Sequence, residues 1–170
     1  MLPLSRRNFL LGSMSAAFLA SMGPGSAQLA PAAPSLRFSM VAVDVSQLRQ
    51  KGFGPGADLV QGAMLSALRN GFAPRIGGRG PRLVVVVTSV ALNAFAGESN
   101  FRSFGSFSSN DYMEGEALVV GPRGEILARY PQLLALPANS GGAWYRPDNE
   151  QRRLVALAQT YAAWLQRKVA

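Results

Sequence analysis

Glu114 and Glu116 stand two residues apart, with Asp111 just before them. On an extended strand that spacing puts both glutamates on one face about 7 Å apart, within the range that glycoside-cleaving carboxylate pairs use. Such chemistry also needs a cleft; on a solvent-facing strand the same residues simply meet water. A second group is Arg75, Arg79 and Arg82, in the stretch Arg75-Ile76-Gly77-Gly78-Arg79-Gly80-Pro81-Arg82. Three guanidinium groups on a Gly-rich loop suit a phosphate, a carboxylated glycan or an acidic partner, or they merely solvate a connection. No Gly-Lys-Ser/Thr follows, and the apolar strand comes after the loop where a nucleotide-phosphate loop needs it before. Nucleotide binding is unsupported.

A third group is Phe101, Phe104 and Phe107, which recur every three residues between Ser, Gly and Asn. Exposed, they form an apolar patch for a partner; folded back, they cover a sheet. Asp44 closes an apolar strand at the end where ligands of parallel sheets often sit, although an acid there more commonly accepts backbone hydrogen bonds from the following loop. Ser140 has no base to activate it.

What is missing narrows the chemistry further. The 170 residues include no His and no Cys. This excludes a disulfide framework, thiolate or imidazole metal sites, and Ser-His-Asp or Cys-His catalytic sets. The acids form no Asp-rich loop for a hard cation, so neither a metal nor another cofactor is expected. With 17 basic residues against 9 acidic ones the formal charge is +8. That charge favours anionic partners in general or serves solubility alone.

The elements that must position these residues follow from periodicity. Leu36 to Val45 alternates like a strand, Gly52 to Gly56 is too rich in Gly and Pro for either regular state, and Ala57 to Asn70 repeats apolar residues at helical spacing. Asp58 is expected in that helix's first turn and Gly71 as its left-handed stop. Arg82 to Leu92 is the strongest strand, with valines in succession, so both of its faces are apolar as in an interior strand. Strand, helix, strand in this order implies parallel pairing. Asn93 to Asn110 is a long connection. Asp111 to Val120 alternates Met113, Gly115, Ala117 and Val119 against Tyr112, Glu114, Glu116 and Leu118. It turns at Gly121-Pro122-Arg123-Gly124 into Glu125 to Tyr130, a hairpin partner. Asp148 to Val169 is the longest helix, with Asp148 as cap, Gln151 as its capping-box partner, and a buried stripe through Leu154, Leu157, Ala158, Tyr161 and Leu165.

The expected fold is α/β (α+β): a four-stranded mixed sheet in the order β-α-β-β-β-α, with its helices packed mainly on one face. Helices on one face leave the other face of the Leu83 strand to be covered. The candidates are the Phe-bearing connection, Leu133 to Leu136, or another molecule. Leaving several Val and Leu side chains wet at about 25 cal/mol per Å2 would forgo several kcal/mol.

The N-terminus has the layout of an export signal: a basic start, an apolar stretch from Phe9 to about Met22, then small residues. Ser5, Arg6, Arg7, Phe9 and Leu10 resemble the Ser-Arg-Arg-x-Phe-Leu motif of twin-arginine signal peptides. That resemblance implies the twin-arginine translocase as a partner during export and a periplasmic location. The expected cut follows Ala27, with Ala32 as the alternative, which divides the chain into a signal (1–27), an Ala/Pro-rich linker (28–35) and one α/β domain (36–170). About 14 moderately apolar residues fall short of the roughly 20 that span a bilayer, so no stable membrane span is expected after cleavage. The mature balance is 15 basic to 9 acidic residues. Export argues against nucleic acid as the partner.

From Leu36 to Val169, the element order and the hairpin ending Glu125-Ile126-Leu127-Ala128 resemble small α/β domains of bacterial envelope proteins. Some of these are related in fold to the N-terminal domain of the Tol-system propeller protein and to lipoprotein activators of peptidoglycan synthases. The chain departs from the lipoproteins in lacking an anchoring Cys. The resemblance implies an accessory or assembly role and carries over no catalytic residues. The expectation is therefore an exported, non-catalytic binding or assembly protein of the envelope, partnered by an envelope protein or by itself. The alternatives are a hydrolase of envelope glycan using Glu114 or Glu116, and an anionic-ligand binder using Arg75, Arg79 and Arg82.

Overall fold

The computed structural model describes residues 36–93, 110–143 and 145–169. All belong to the compact unit Pro34–Ala170. The signal motif, both cleavage positions and the linker lie outside the described residues, as do Phe101, Phe104, Phe107 and Trp144.

The chain runs β1 (Met40–Asp44), α1 (Ser46–Gln50), α2 (Gly54–Phe72), β2 (Arg82–Ala91), β3 (Asn110–Val120), β4 (Ile126–Pro137) and α3 (Asn149–Lys168). Four strands form one sheet in the order β1-β2-β3-β4, with β1 parallel to β2 and the remaining pairs antiparallel. The mixed α/β sheet expected from periodicity is thus present, with valine-rich β2 in its interior.

The inward residues of each strand meet the apolar stripes of both long helices in a single core. Val41, Val43, Leu83, Val85, Val87, Met113, Ala117, Val119 and Leu134 pack with Val60, Met64, Leu68 and Phe72 of α2 and with Leu157, Ala158, Tyr161 and Leu165 of α3. Both helices therefore cover the same face. At about 1.5–3 kcal/mol for each fully buried large side chain, this layer dominates the stability.

Several local expectations are corrected. Gly54, Pro55 and Gly56 form the first turn of α2, with Pro at a first-turn position where its missing N–H costs nothing. The helix consequently begins three residues before Ala57, no acid falls in its first turn, and Asp58 instead pairs with Arg49 at 2.6 Å. Gly71 lies within α2, which runs on through Phe72 into a 3₁₀ turn, so it is no left-handed stop. Asp148 occupies the N-cap position of α3 but makes no side-chain cap bond; its carboxylate binds Arg152 at 2.7 Å and Arg146 at 3.1 Å. Two arginines outcompete the helix N–H groups for it, and the capping box with Gln151 is not formed. The hairpin strand does not stop near Tyr130 but continues through Pro131 to Pro137. The Pro131 carbonyl accepts a hydrogen bond from Lys168 Nζ, so this residue faces the open edge, where a missing N–H breaks no ladder bond. Leu133 to Leu136 is therefore part of the sheet and no cover for it.

Candidate functional site

The strand registers define the face of the sheet that the helices leave. Met40 and Ala42 pair with Arg82 and Val84, while Val84, Val86 and Ser89 pair with Leu118, Glu116 and Glu114. Leu118, Glu116, Glu114 and Tyr112 pair in turn with Arg129, Pro131, Leu133 and Ala135. Because paired residues share a face, all of these side chains project away from α2 and α3. None of them belongs to the core cluster or is packed against it. Met40 is 47% exposed, Leu133 63% and Tyr112 43%, and the central Val84, Val86 and Leu118 are half-buried. Large exposed hydrophobics gathered on one face are the kind of feature that marks a contact surface.

A bulge at Thr88, between the pairs Val87 with Gly115 and Ser89 with Glu114, keeps this face continuous. The Thr88 hydroxyl donates to the Glu114 carbonyl at 3.1 Å, and the Thr88 carbonyl accepts from Lys51 Nζ at 2.8 Å. The face is thus held by side chains as well as by the ladder.

The acids separate by strand phase. Glu114 and Glu116 share the outer face, as their spacing predicts. Glu116 accepts two hydrogen bonds from Arg129 Nη1, both 3.1 Å long, and Glu114 is exposed. Asp111 points to the opposite side, where it is 1% exposed and bound by Arg153, itself 4% exposed. Arg153 Nε donates to Asp111 at 2.8 Å and Nη2 donates both to Asp111 and, at 2.7 Å, to the Asn93 carbonyl. The Asn93 N–H donates to the same carboxylate at 2.9 Å. This buried pair joins α3 to β3 and to the end of β2. No sequence motif announces it, yet Arg153 falls on the apolar stripe of α3 and Asp111 on the apolar phase of β3. Two opposite charges in buried phases are the signal that finds such a pair.

Beneath the acids, Tyr161 is buried and its hydroxyl lies 3.4 Å from the Gln132 carbonyl, while Gln132 Nε2 donates to the Tyr161 carbonyl at 3.0 Å. Burial, then the negative charges of Glu116 and Glu114, push the phenol's pKa well above its ordinary value.

The three loop arginines have different surroundings. Arg75 stacks on Phe72 with its guanidinium carbon 4.6 Å from the ring centre, lies 5.9 Å from Phe38, and donates to the Val169 carbonyl at 3.3 Å. It ties α2 to the C-terminus of α3. Arg79 is exposed in the loop, and Arg82 begins β2 on the outer face. Asp44 accepts from the Ser46 N–H at 2.8 Å, the loop-capping role its position suggests. Ser140 is exposed in the 3₁₀ turn Ala138–Gly141.

Among the described residues no helix is long and apolar enough to cross a membrane, and no group of acids could hold a metal ion. Comparison with protein-family models, curated proteins and solved structures gives no match.

Proposed function

We propose that the protein is an exported, non-catalytic binding or assembly module of the bacterial envelope, and that it makes its contacts through the outer face of the sheet. One observation supports this above the others: Met40, Val84, Val86, Leu118 and Leu133 form an apolar surface on the side opposite both long helices. Its polar residues are arranged for contact more than for chemistry. Glu116 is neutralised by Arg129, Glu114 has no acid–base partner among the pairs described, and Asp111 is committed to the core. The signal motif Ser5-Arg6-Arg7-Asn8-Phe9-Leu10 supports the location.

A photo-crosslinking side chain placed at Val84 or Leu118, compared with one at Gln159 on the helical layer, tests the reading in periplasm. Crosslinks from the sheet positions alone are expected. Crosslinks from Gln159 alone would move the contact to the other layer and refute it. The glycan-hydrolase alternative is checked by incubating the protein with envelope glycan: turnover that Glu114→Gln or Glu116→Gln abolishes would establish an enzyme. Changing Arg6 and Arg7 together to Lys should hold the precursor in the cytoplasm.

A further inference from the structure

Resting on that reading, the arrangement of charge on the outer face identifies its occupant, and we infer that it is a second copy of the same chain, packed sheet to sheet about a twofold axis. Successive outward residues along β3 define rows about 6.8 Å apart. Arg82 lies in the row of Val120, followed by the rows of Leu118 with Val84 and Arg129, of Glu116 with Val86 and Pro131, and of Glu114 with Ser89 and Leu133. The basic residues Arg82 and Arg129 thus occupy one half of the face, and the acids Glu116 and Glu114 the other. The apolar residues run through the middle.

Take a twofold axis lying between two such faces, across the strands, midway between the Leu118 and Glu116 rows. Arg82 stands about 10 Å to one side of it and Glu114 about 10 Å to the other. The rotation sets Arg82 opposite the Ser89 row, next to Glu114 of the partner subunit. It also sets Arg129 opposite the row that holds Glu116 of the partner subunit. Each charged contact occurs twice, as an isologous interface requires. The uniform translations that would stack like charges are disfavoured, so the same residues select the register. Val84, Val86 and Leu118 of both copies fill the centre, as inner faces do in a sandwich with sheets about 10 Å apart.

The size is sufficient. Four strands about 4.8 Å apart and four row spacings of about 6.8 Å give roughly 500 Å2 per copy. The two copies together bury on the order of 1,000 Å2, at the lower limit for a specific interface, so a dimer in exchange with monomer is expected.

The experiment uses the purified protein and two charge reversals at exposed positions, Arg82→Glu and Glu114→Arg. The wild type should sediment as a dimer at tens of micromolar and dissociate on dilution. Each reversal alone puts two like pairs in the homodimer and should raise the dissociation constant at least about tenfold. Mixing the two variants makes both pairs opposite again and should restore a dimer containing one of each. A dimer indifferent to the reversals would use another surface and overturn the inference. The chain has no Cys, so Val84→Cys carries the one thiol and reports access to the face; Ser89→Cys serves if Val84→Cys disturbs the strand. A monomer whose thiol reacts freely would overturn the second copy while leaving the contact face intact. A monomer whose thiol is protected would mean that the chain covers its own face, and would overturn both.

Discussion

Replacing Arg153 with Met tests how the helical layer is fastened to the sheet. Asp111 would keep its place at 1% exposure with its guanidinium partner gone, and the Asn93 carbonyl would lose the same donor. Removing one member of a buried ion pair costs about 3–5 kcal/mol, because the remaining charge stays desolvated. At about 3–5 °C per kcal/mol for a domain of this size, the melting temperature should fall by about 10–20 °C. Adding Asp111→Leu removes the stranded charge, and a well-filled apolar replacement is close to neutral. The double variant should therefore regain all but about 2 kcal/mol, the shares of the Asn93 N–H bond that Asp111 accepted and of the bond that Arg153 gave the Asn93 carbonyl. Urea titrations followed by circular dichroism give the four stabilities of this cycle. A loss below 1 kcal/mol for Arg153→Met, or a double variant no more stable than the single, would refute the reasoning.

The remaining expectations concern stability. Burial, then Glu116 and Glu114, raise the Tyr161 pKa above the ordinary 10.0. Its contribution is therefore complete below that pH and is lost as pH rises past it, because only the unfolded chain releases the proton readily. Stability measured by urea titration should fall above pH 10, and Tyr161→Phe should flatten that fall. Gly115→Ala would place a Cβ 2.3 Å from the Val86 carbonyl oxygen, inside the ladder, and should cost several kcal/mol. The nearest atoms to a Cβ in Gly71→Ala all belong to the Gln166 side chain, which can move, so the change should shift the melting temperature by no more than a few degrees. Arg75→Ala removes the stacking on Phe72 and the bond to Val169 and should cost about 1–2 kcal/mol. Arg79→Ala, in the exposed loop, should lie within about 0.5 kcal/mol of wild type by the same thermal measurement.

How much of this was legible in the chain differs from residue to residue. Alternation alone placed Glu114 and Glu116 outward and Met113 and Ala117 inward, because a strand's two-residue period leaves no other choice once one phase is apolar. Valines in both phases marked β2 as interior. Composition misled at Gly54-Pro55-Gly56, where Pro in a first helical turn is favourable and local Gly content says little. The end of β4 was equally hidden, since Pro131 is a breaker only when its nitrogen faces a neighbouring strand. For the candidate site, spacing grouped Arg75 with Arg79 and Arg82, but the use of Arg75 depends on Phe72 and Phe38 arriving from other elements. Asp111 and Arg153 are 42 residues apart, and only the packing of α3 on β3 brings them together.

The most direct measurement is thiol modification in intact periplasm, comparing Leu118→Cys on the outer sheet face with Gln159→Cys on the helical layer. The chain's lack of native Cys leaves a single reporter in each variant. The sheet-face thiol should be protected while the helical one reacts at the rate of an exposed side chain. Equal reactivity at the two positions, or protection at Gln159 alone, would contradict a contact surface on the sheet.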